Sequence, residues 1–426
     1  MLTNRRRLFD GLFIAVLIVY LLAGIRAAPF HGDESTIIYM SHDWWALWRD
    51  PLSLRYQPDI SPSPAAMDQD LRVLNGVLSK YAIGALLSVA GFPESALNTP
   101  WNWEIDWWEN LYYGALPSSP VLFISRLSSV LFAALGLAFF FAASKKLLGR
   151  GGGHLATLIL TLLPAFLLNS RRAMFEGAFL FGMGLMLWAT IYVANHPRHL
   201  KGWLLLGLAT GLAIASKHTA VFWAVAIAVP FSVVVIRQRR LIIKPAILAV
   251  ILSLVVFFAL NPVWWGDPTK APGVVRLRAR FLDQLPQVSM FNFASPLERA
   301  IGLVELPLAP AQYAEDNQGD WATWLGPEIA AYRLSPLHGV PILWLIGVGL
   351  ALIGLFAFIH QRHLASYLVI SLIVFNMLVL FVTNPLAWQR YYLPLAMPLA
   401  LLMAAGIVTL ARALSRLISR RSPHAR

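Results

Sequence analysis

The sequence predicts an all-α polytopic membrane protein with about ten transmembrane helices and two long extracytoplasmic loops that carry interfacial helices. Of its 426 residues, 58% are hydrophobic and only 13% are charged, whereas soluble domains contain about 25% charged residues. Apolar runs long enough to cross a hydrocarbon core of about 30 Å recur along the chain. Basic residues collect in alternate loops between these runs. This composition excludes an ordinary soluble enzyme, and the absence of cysteine excludes a disulfide-stabilised scaffold.

Most spans are predicted from single apolar runs of about 20 residues. These runs are Leu8–Ala28, Val121–Ala143, Met174–Val193, Ile242–Leu260, Val340–Phe358, Leu364–Val382 and Tyr392–Leu414. Two longer stretches, Trp203–Val235 and Gly152–Val193, are each predicted to form a hairpin. At 1.5 Å per residue, one helix over the first stretch would be about 50 Å long and would overshoot the bilayer. The turns are expected at Lys217 and at Asn169–Arg172, which brings the total to ten spans.

These spans divide the chain into six consecutive segments, two of which are long polar loops. The segments are the first transmembrane helix (1–28), the first extracytoplasmic loop with the Asp-Glu motif and interfacial helices (29–120), transmembrane helices two to seven (121–260), the second long extracytoplasmic loop (261–339), transmembrane helices eight to ten (340–414) and a basic cytoplasmic tail (415–426).

The distribution of charge predicts the orientation in the membrane. Short loops that face the cytoplasm are enriched in Lys and Arg, and every predicted inner segment is basic, beginning with Arg5–Arg7. Of the 21 acidic residues, only Asp10 lies on that side. We therefore expect a multi-pass protein of the plasma (inner) membrane with cytoplasmic N and C termini. The positive-inside pattern accounts for the net charge of +13 without a nucleic-acid partner.

The two long loops contain most of the aromatic and acidic residues. Eleven of the 16 tryptophans fall in them. Amphipathic indole rings are typical of headgroup depth, and stacking on sugar rings is the alternative interpretation. Leu71–Gly91 is amphipathic and only moderately hydrophobic, so we interpret it as an interfacial helix that lies on the membrane.

Ionisable side chains recur where the spans end on the predicted outer face. They are costly at the edge of a bilayer and are therefore functional candidates. The set comprises Asp33, Glu34, Arg126, Arg171, Arg172, Glu176, Lys217 and Arg390. Arg and Lys bind phosphate oxygens, and a nearby carboxylate can act as general base toward a hydroxyl. Together these residues predict transfer of a group from a lipid phosphate to an acceptor outside the cytoplasm.

The order of motifs resembles that of integral-membrane glycosyltransferases of the C-type fold, in the branch of protein O-mannosyltransferases and lipid A aminoarabinose transferases (family 39-like). The resemblance covers most of the chain, and its most specific parts are Asp33-Glu34 and Arg126. The matching motifs are His31-Gly32-Asp33-Glu34, Asn75-Gly76-Val77-Leu78-Ser79-Lys80-Tyr81, Ser125-Arg126-Leu127-Ser128-Ser129, Ser170-Arg171-Arg172-Ala173 with Glu176, Ala215-Ser216-Lys217, Asn261-Pro262 and Arg390-Tyr391-Tyr392-Leu393-Pro394.

The resemblance implies a polyprenyl-phosphate-linked sugar as donor and inversion at the anomeric carbon. It implies that Asp33 deprotonates the acceptor hydroxyl and that Glu34 orients the acceptor or a cation. Arg126, Lys217 and Arg390 would neutralise the departing phosphate, and this electrostatic stabilisation is expected to be the largest catalytic contribution. Arg171 or Arg172 would join them, with Glu176 aligning an arginine and Tyr391 completing the substrate site. No cofactor or metal is required on this interpretation.

One departure from the resemblance concerns the acceptor. The Pro-Pro motif of relatives is replaced here by Gly76-Val77, so a protein, a lipid and a glycan all stay open as acceptors.

Two other functions use the same features. A transporter or flippase of an anionic lipid-linked glycan would also need the cations, but it should carry polar groups at mid-membrane and an inverted repeat. A membrane assembly subunit would use the two outer loops as a docking surface. The polar groups lie at one rim and no repeat is visible, which favours the glycosyltransferase.

Overall fold

The computed structural model describes residues 2–57, 64–237, 239–266, 273, 292–313 and 321–421. Within these ranges the chain is helical, and the only strand-like pairing is an isolated bridge between Asn292 and Leu386. The α-helices are α1 (Leu2–Ala23), α2 (Gly32–Met40), α3 (Asp43–Arg49), α4 (Pro64–Leu74), α5 (Leu78–Val89), α6 (Trp107–Tyr112), α7 (Ser119–Leu162), α8 (Pro164–Arg171), α9 (Phe175–Asn195), α10 (Leu200–Ser216), α11 (Ala220–Arg237), α12 (Arg239–Leu260), α13 (Pro296–Glu305), α14 (Trp321–Leu334), α15 (Trp344–Gln361), α16 (Leu364–Thr383) and α17 (Leu393–Arg421).

Six of the helices in the described ranges are long and apolar enough to cross a membrane, namely α7, α9, α12, α15, α16 and α17. Three shorter apolar helices, α5, α10 and α11, accompany them. The predicted all-α, multi-pass membrane fold is therefore confirmed. The count of ten spans and the division into six segments stay predictions.

The hairpin predicted over Gly152–Val193 is present. The 44-residue α7 is interrupted at Gly149, whose φ of +76° is a conformation that glycine adopts without steric cost. The second arm of α7 ends at Leu162, and Pro164 begins α8 directly afterwards because proline fits the first turn of a helix. The chain turns at residues 172–174, between α8 and α9, so Asn169–Arg171 of the predicted turn lie in α8 and only Arg172 lies in the turn itself.

The second predicted hairpin is also present, and its turn lies at Lys217. α10 ends at Ser216 and α11 begins at Ala220. Lys217 itself has an extended backbone (φ −157°, ψ 124°) and donates its N–H to the carbonyl of Ala213 at 3.1 Å. The turn thus places the lysine at the C-terminal end of α10.

Glycines let the central helices approach closely. A Cβ added at Gly184 of α9 would lie 2.3 Å from the carbonyl oxygen of Gly136 in α7. A Cβ added at Gly354 of α15 would lie 1.9 Å from the carbonyl oxygen of Leu402 in α17. Small residues at such crossings allow backbone-to-backbone packing, which is a main source of association between helices in membranes.

The segment Leu71–Gly91, predicted as one interfacial helix, is divided into α4 and α5. The break lies at Gly76 and Val77, because the N–H of Val77 donates to the carbonyl of Ala215 at 2.7 Å. A Cβ at Gly76 would lie 2.0 Å from the carbonyl oxygen of Ser216, so this turn rests directly on the end of α10. The single-helix prediction was wrong because a tertiary contact interrupts the helical pattern.

Helix α5 is also more buried than a helix lying on a membrane would be. It packs against α2, α3, α7, α9 and α10. Lys80, Ile83 and Leu87 are buried in these contacts. The amphipathic pattern of α5 therefore arises because one face of the helix is buried against the rest of the protein.

Candidate active site

Asp33 and Glu34 lie in the first turn of α2, which His31 caps. Nδ1 of His31 accepts a hydrogen bond from the N–H of Asp33 at 3.1 Å. Oε2 of Glu34 accepts a reciprocal bond from the N–H of His31, also at 3.1 Å. This capping box fixes the turn and points the two carboxylates in different directions. The Asp33 side chain is 28% exposed, whereas that of Glu34 is fully buried.

Glu34 forms a bidentate ion pair with Arg126 of α7. Nε and Nη2 of Arg126 donate to the two carboxylate oxygens, each at 2.7 Å. Nη1 donates to the carbonyls of Ile25 (3.0 Å) and Ala28 (2.8 Å), and the N–H of Ala173 donates to Glu34 at 2.8 Å. Burial alone would raise the pKa of Glu34, but the Arg126 guanidinium holds it below its ordinary value. All three nitrogens of the Arg126 guanidinium therefore donate hydrogen bonds to the scaffold.

Asp33 contacts Arg390, which precedes α17. Nη1 of Arg390 donates to Oδ2 of Asp33. The guanidinium also lies 5.1 Å from the ring centre of Trp388 and 5.6 Å from that of Tyr391. Burial would raise the pKa of Asp33, but the charge of Arg390, with help from His31, keeps that pKa below its ordinary value. The predicted base and one predicted phosphate ligand thus meet.

Lys217 and Glu176 form a second pair beside the Tyr391 ring. Nζ of Lys217 donates to Oε1 of Glu176 at 2.7 Å. The same Nζ lies 5.6 Å from the ring centre of Tyr391. Because Arg390 contacts this ring as well, the two cations share one aromatic neighbour. Asp33, Arg390, Tyr391, Lys217 and Glu176 therefore form a continuous polar chain, which we call the Tyr391 cluster.

Arg171 lies apart from this cluster. It is fully buried, and its guanidinium donates to the carbonyls of Tyr20 (2.7 Å) and Leu21 (3.1 Å) and to the hydroxyl of Tyr332 (2.8 Å). A Cβ at Gly24 would lie 2.1 Å from the guanidinium carbon, so the chain after α1 closes around this side chain. Its position indicates a role in joining α1 to α14.

Arg172 acts electrostatically on both Asp33 and Glu34. It is fully buried and donates to the carbonyl of Pro29 at 3.3 Å and to that of Tyr313 at 3.5 Å. Its charge contributes to the lowered pKa values of both Asp33 and Glu34. Arg172 therefore adds positive potential beneath the carboxylates.

A second buried ion cluster, which the site prediction did not include, surrounds Asp43. Lys80 contacts Oδ2 of Asp43, and Nη2 of Arg72 lies 2.7 Å from Oδ1. Asp43 and Lys80 are each 1% exposed. Burial would raise the pKa of Asp43, but Lys80, His42 and Arg72 hold it well below its ordinary value. Lys80 in the first turn of the otherwise apolar α5 was the signal in the sequence that a buried acidic partner lay elsewhere in the chain.

No group of three His, Asp or Glu side chains that could hold a metal ion occurs in the part of the chain that the structure describes. The absence of a metal requirement stays a prediction.

Known proteins resemble the chain at the level of family and fold. A sequence model of the family described as dolichyl-phosphate-mannose-protein mannosyltransferase matches residues 118–265. This part contains Arg126, Glu176 and Lys217, whereas Asp33 and Arg390 lie outside it. Comparison with curated protein sequences gives no match.

Two solved structures share the fold over nearly the whole chain. ArnT from Cupriavidus metallidurans, bound to undecaprenyl phosphate, has a TM-score of 0.54 at 14% identity and is matched over 94% of this chain and 60% of its own. AglB, the archaeal oligosaccharyltransferase from Archaeoglobus fulgidus, in complex with an inhibitory peptide and a dolichol-phosphate, has a TM-score of 0.53 at 11% identity, with coverages of 98% and 53%.

The chain spans little more than half the length of these two proteins. The structural likeness shows the fold, and together with the family match it confirms the predicted resemblance to membrane glycosyltransferases of the C-type fold.

Proposed function

We propose that the protein is a membrane glycosyltransferase that moves a sugar from a polyprenyl-phosphate donor to an acceptor hydroxyl, with inversion at the anomeric carbon. The observation that carries the proposal is the contact between the partly exposed Asp33 and Arg390, joined through Tyr391 to Lys217. This arrangement supplies a base and two phosphate-binding cations at one place. The lipid phosphates bound by ArnT and AglB support such a donor.

The donor phosphate would bind by exchanging counter-ions. Among the residues that the structure describes, Arg390 pairs with Asp33 and Lys217 pairs with Glu176. A phosphate oxygen accepts hydrogen bonds from both a guanidinium and an ammonium group. When Arg390 turns toward the phosphate, Asp33 loses the charge that lowers its pKa and becomes a stronger base.

The sugar is then transferred in a single displacement at the anomeric carbon. The acceptor oxygen forms a bond to the anomeric carbon, and the bond between that carbon and the phosphate oxygen breaks. Asp33 takes the acceptor's proton, and the phosphate leaves with the electron pair as polyprenyl monophosphate. Attack from the face opposite the phosphate inverts the anomeric centre. Arg390 and Lys217 stabilise the charge that develops on the leaving group.

We propose supporting roles for the other predicted residues. Arg126 holds Glu34, and with it the turn that carries Asp33, because its hydrogen bonds within the described ranges go to Glu34 and to backbone carbonyls. Glu34 accordingly orients a cation. Arg171 acts in the scaffold, Arg172 adds positive potential near the site, and Glu176 aligns Lys217.

The location of the reaction follows from the charge pattern. The basic inner loops of the sequence support cytoplasmic termini and a position of Asp33 on the extracytoplasmic face of the plasma membrane. A donor whose lipid stays in the bilayer is reachable there, and the acceptor hydroxyl belongs to a protein, a lipid or a glycan.

The test is transfer of a radiolabelled sugar from a polyprenyl-phosphate donor by the purified protein in lipid nanodiscs. Asp33→Asn should lower the rate by about 10²- to 10⁴-fold because the general base is lost, while the variant still inserts and folds. Asp50→Asn is the matched control: Asp50 accepts the N–H of Leu52 at an exposed turn, and asparagine caps equally well. Undiminished transfer by Asp33→Asn, or lipid translocation without transfer by the wild type, would contradict the proposal.

A further inference from the structure

An exposed tryptophan, Trp103, lies beside the first turn of α2. Because this turn carries Asp33, we call it the catalytic turn. The segment before α6 brings Trp101 and Trp103 over Gly32, the residue between His31 and Asp33. A Cβ at Gly32 would lie 2.8 Å from Cγ of Trp101 and 2.8 Å from Cη2 of Trp103. The Trp103 ring centre is 5.7 Å from that of His31, whose Nδ1 is 4.0 Å from the Asp33 carboxylate. Glycine at this position lets the indoles approach the turn that carries Asp33.

The two tryptophans differ in exposure. Trp101 is 6% exposed and packs with Phe30 and Trp107 in a small buried aromatic cluster. Trp103 is 40% exposed, and its ring centre lies 6.2 Å from that of Trp101. The buried cluster therefore supports a ring that is partly exposed to solvent.

We propose that Trp103 is a stacking platform for a pyranose ring of a carbohydrate acceptor, which places one sugar hydroxyl at Asp33. The proposal rests on the proposed glycosyl transfer and names the acceptor class for it. A pyranose carries C–H groups on its faces and hydroxyls around its rim. An indole ring with a carboxylate beside it complements both surfaces, since ligand sites combine aromatic area with few polar groups.

The surroundings favour a sugar over a peptide. Extended peptides are commonly recognised by an unpaired strand edge or by an apolar groove between helices. Asp33 instead lies at the start of a helix, with the aromatic side chains of the 101–107 segment next to it. Membrane anchoring would not require an indole to contact the catalytic turn. The position of Trp103 over Gly32 therefore indicates acceptor binding.

The experiment measures binding without relying on turnover. Methyl α-mannopyranoside and methyl α-glucopyranoside are titrated into the full chain in nanodiscs and followed by saturation-transfer NMR. Trp103→Ala should weaken binding of the preferred pyranoside about tenfold, and Trp103→Tyr should restore it to within about threefold. In the transfer assay, Trp103→Ala should raise the KM for the acceptor and leave the KM for the donor unchanged.

Trp108→Ala is the matched control. Trp108 is 53% exposed and stacks edge to face on Trp324 at 4.5 Å, so its loss should leave pyranoside binding unchanged. The proposed role of Trp103 would be contradicted if Trp103→Ala and the wild type bound the pyranosides with equal affinity. It would also be contradicted if the protein bound a serine- and threonine-containing hexapeptide and neither pyranoside. If Trp103→Ala weakens pyranoside binding while the wild type transfers no sugar, the platform stands and the proposed transfer fails.

Discussion

Asp33 and Glu34 are neighbours in sequence, yet their environments differ completely. Glu34 accepts bonds from Arg126, Ala173 and His31 and is closed to solvent. Asp33 keeps part of its carboxylate exposed and has a cation that a phosphate could draw away. Loss of either member of the Glu34–Arg126 pair would leave a buried charge, which costs about 3–5 kcal/mol. One acid therefore stabilises the turn, and the other is available for proton transfer.

Arg390→Gln should change the pH dependence of the reaction. Arg390 lowers the pKa of Asp33, so its removal raises that pKa. The base works only when deprotonated, and the acid limb of kcat/KM follows the pKa of the free enzyme. We therefore expect the acid limb to move to higher pH in Arg390→Gln, with a smaller move in Arg390→Lys. The pH profile of kcat/KM at low donor concentration measures this.

Lys217→Met is the control for that experiment. Lys217 pairs with Glu176, so its loss should weaken donor binding and leave the acid limb in place. An acid limb that stays fixed or moves to lower pH in Arg390→Gln would rule out proton transfer by an Asp33 that is paired with Arg390.

The candidate side chains were predictable from the sequence, but their partners were not. Ionisable residues at the ends of apolar runs identified Arg126, Lys217 and Arg390. The partner of Arg126 lies 92 residues away along the chain, and that of Arg390 lies 357 residues away. Sequence order specifies which residues reach the same end of a bundle, whereas packing decides which pairs form.

Helix α5 connects the first loop to the cations of the site. Its preceding turn rests on the end of α10, next to Lys217, through Gly76 and Val77. Ser79 in its first turn donates to the carbonyl of Met174 at 3.1 Å, two residues before Glu176. The start of α5 thus contacts the chain beside both members of the Lys217–Glu176 pair.

Gly76→Ala should disturb the site through Lys217. The added Cβ would lie 2.0 Å from the Ser216 carbonyl oxygen, so the backbone before Lys217 must shift. Displacements of about 1 Å can cost about 10²-fold in rate, and we expect kcat/KM for the donor to fall between about tenfold and 100-fold. Donor kinetics of Gly76→Ala, Lys217→Met and the double variant measure the effect.

The control is Gly349→Ala in α15, where an added Cβ meets nothing within 4 Å. If Gly76 acts through Lys217, the effects of Gly76→Ala and Lys217→Met are not additive. Additive effects would instead indicate a general loss of stability.

Amphipathicity predicted that Leu71–Gly91 would be helical but not what its apolar face contacts. A membrane surface and a protein surface are both apolar, so the same periodicity fits either. The hairpin turns were predictable because Lys217 and Arg171–Arg172 interrupt long apolar runs, and polar groups are costly within the bilayer. The break at Gly76 was not predictable, because it depends on a contact with α10.

The fold brings distant segments together at one end of the helical bundle. The Tyr391 cluster draws on α2, α9, the α10–α11 turn and the segment before α17, so donor binding should depend on the complete chain. Its pairs of opposite charge indicate a site that exchanges counter-ions when an anionic headgroup arrives.

A cryo-electron microscopy structure of the full chain in nanodiscs with added polyprenyl phosphate would locate that headgroup. We predict that the phosphate lies within about 4 Å of both Arg390 and Lys217, and that the Arg390 guanidinium has moved away from Asp33. A phosphate bound at the opposite end of the bundle, beside Asp10 and Lys145, with the Asp33–Arg390 pair intact, would contradict it.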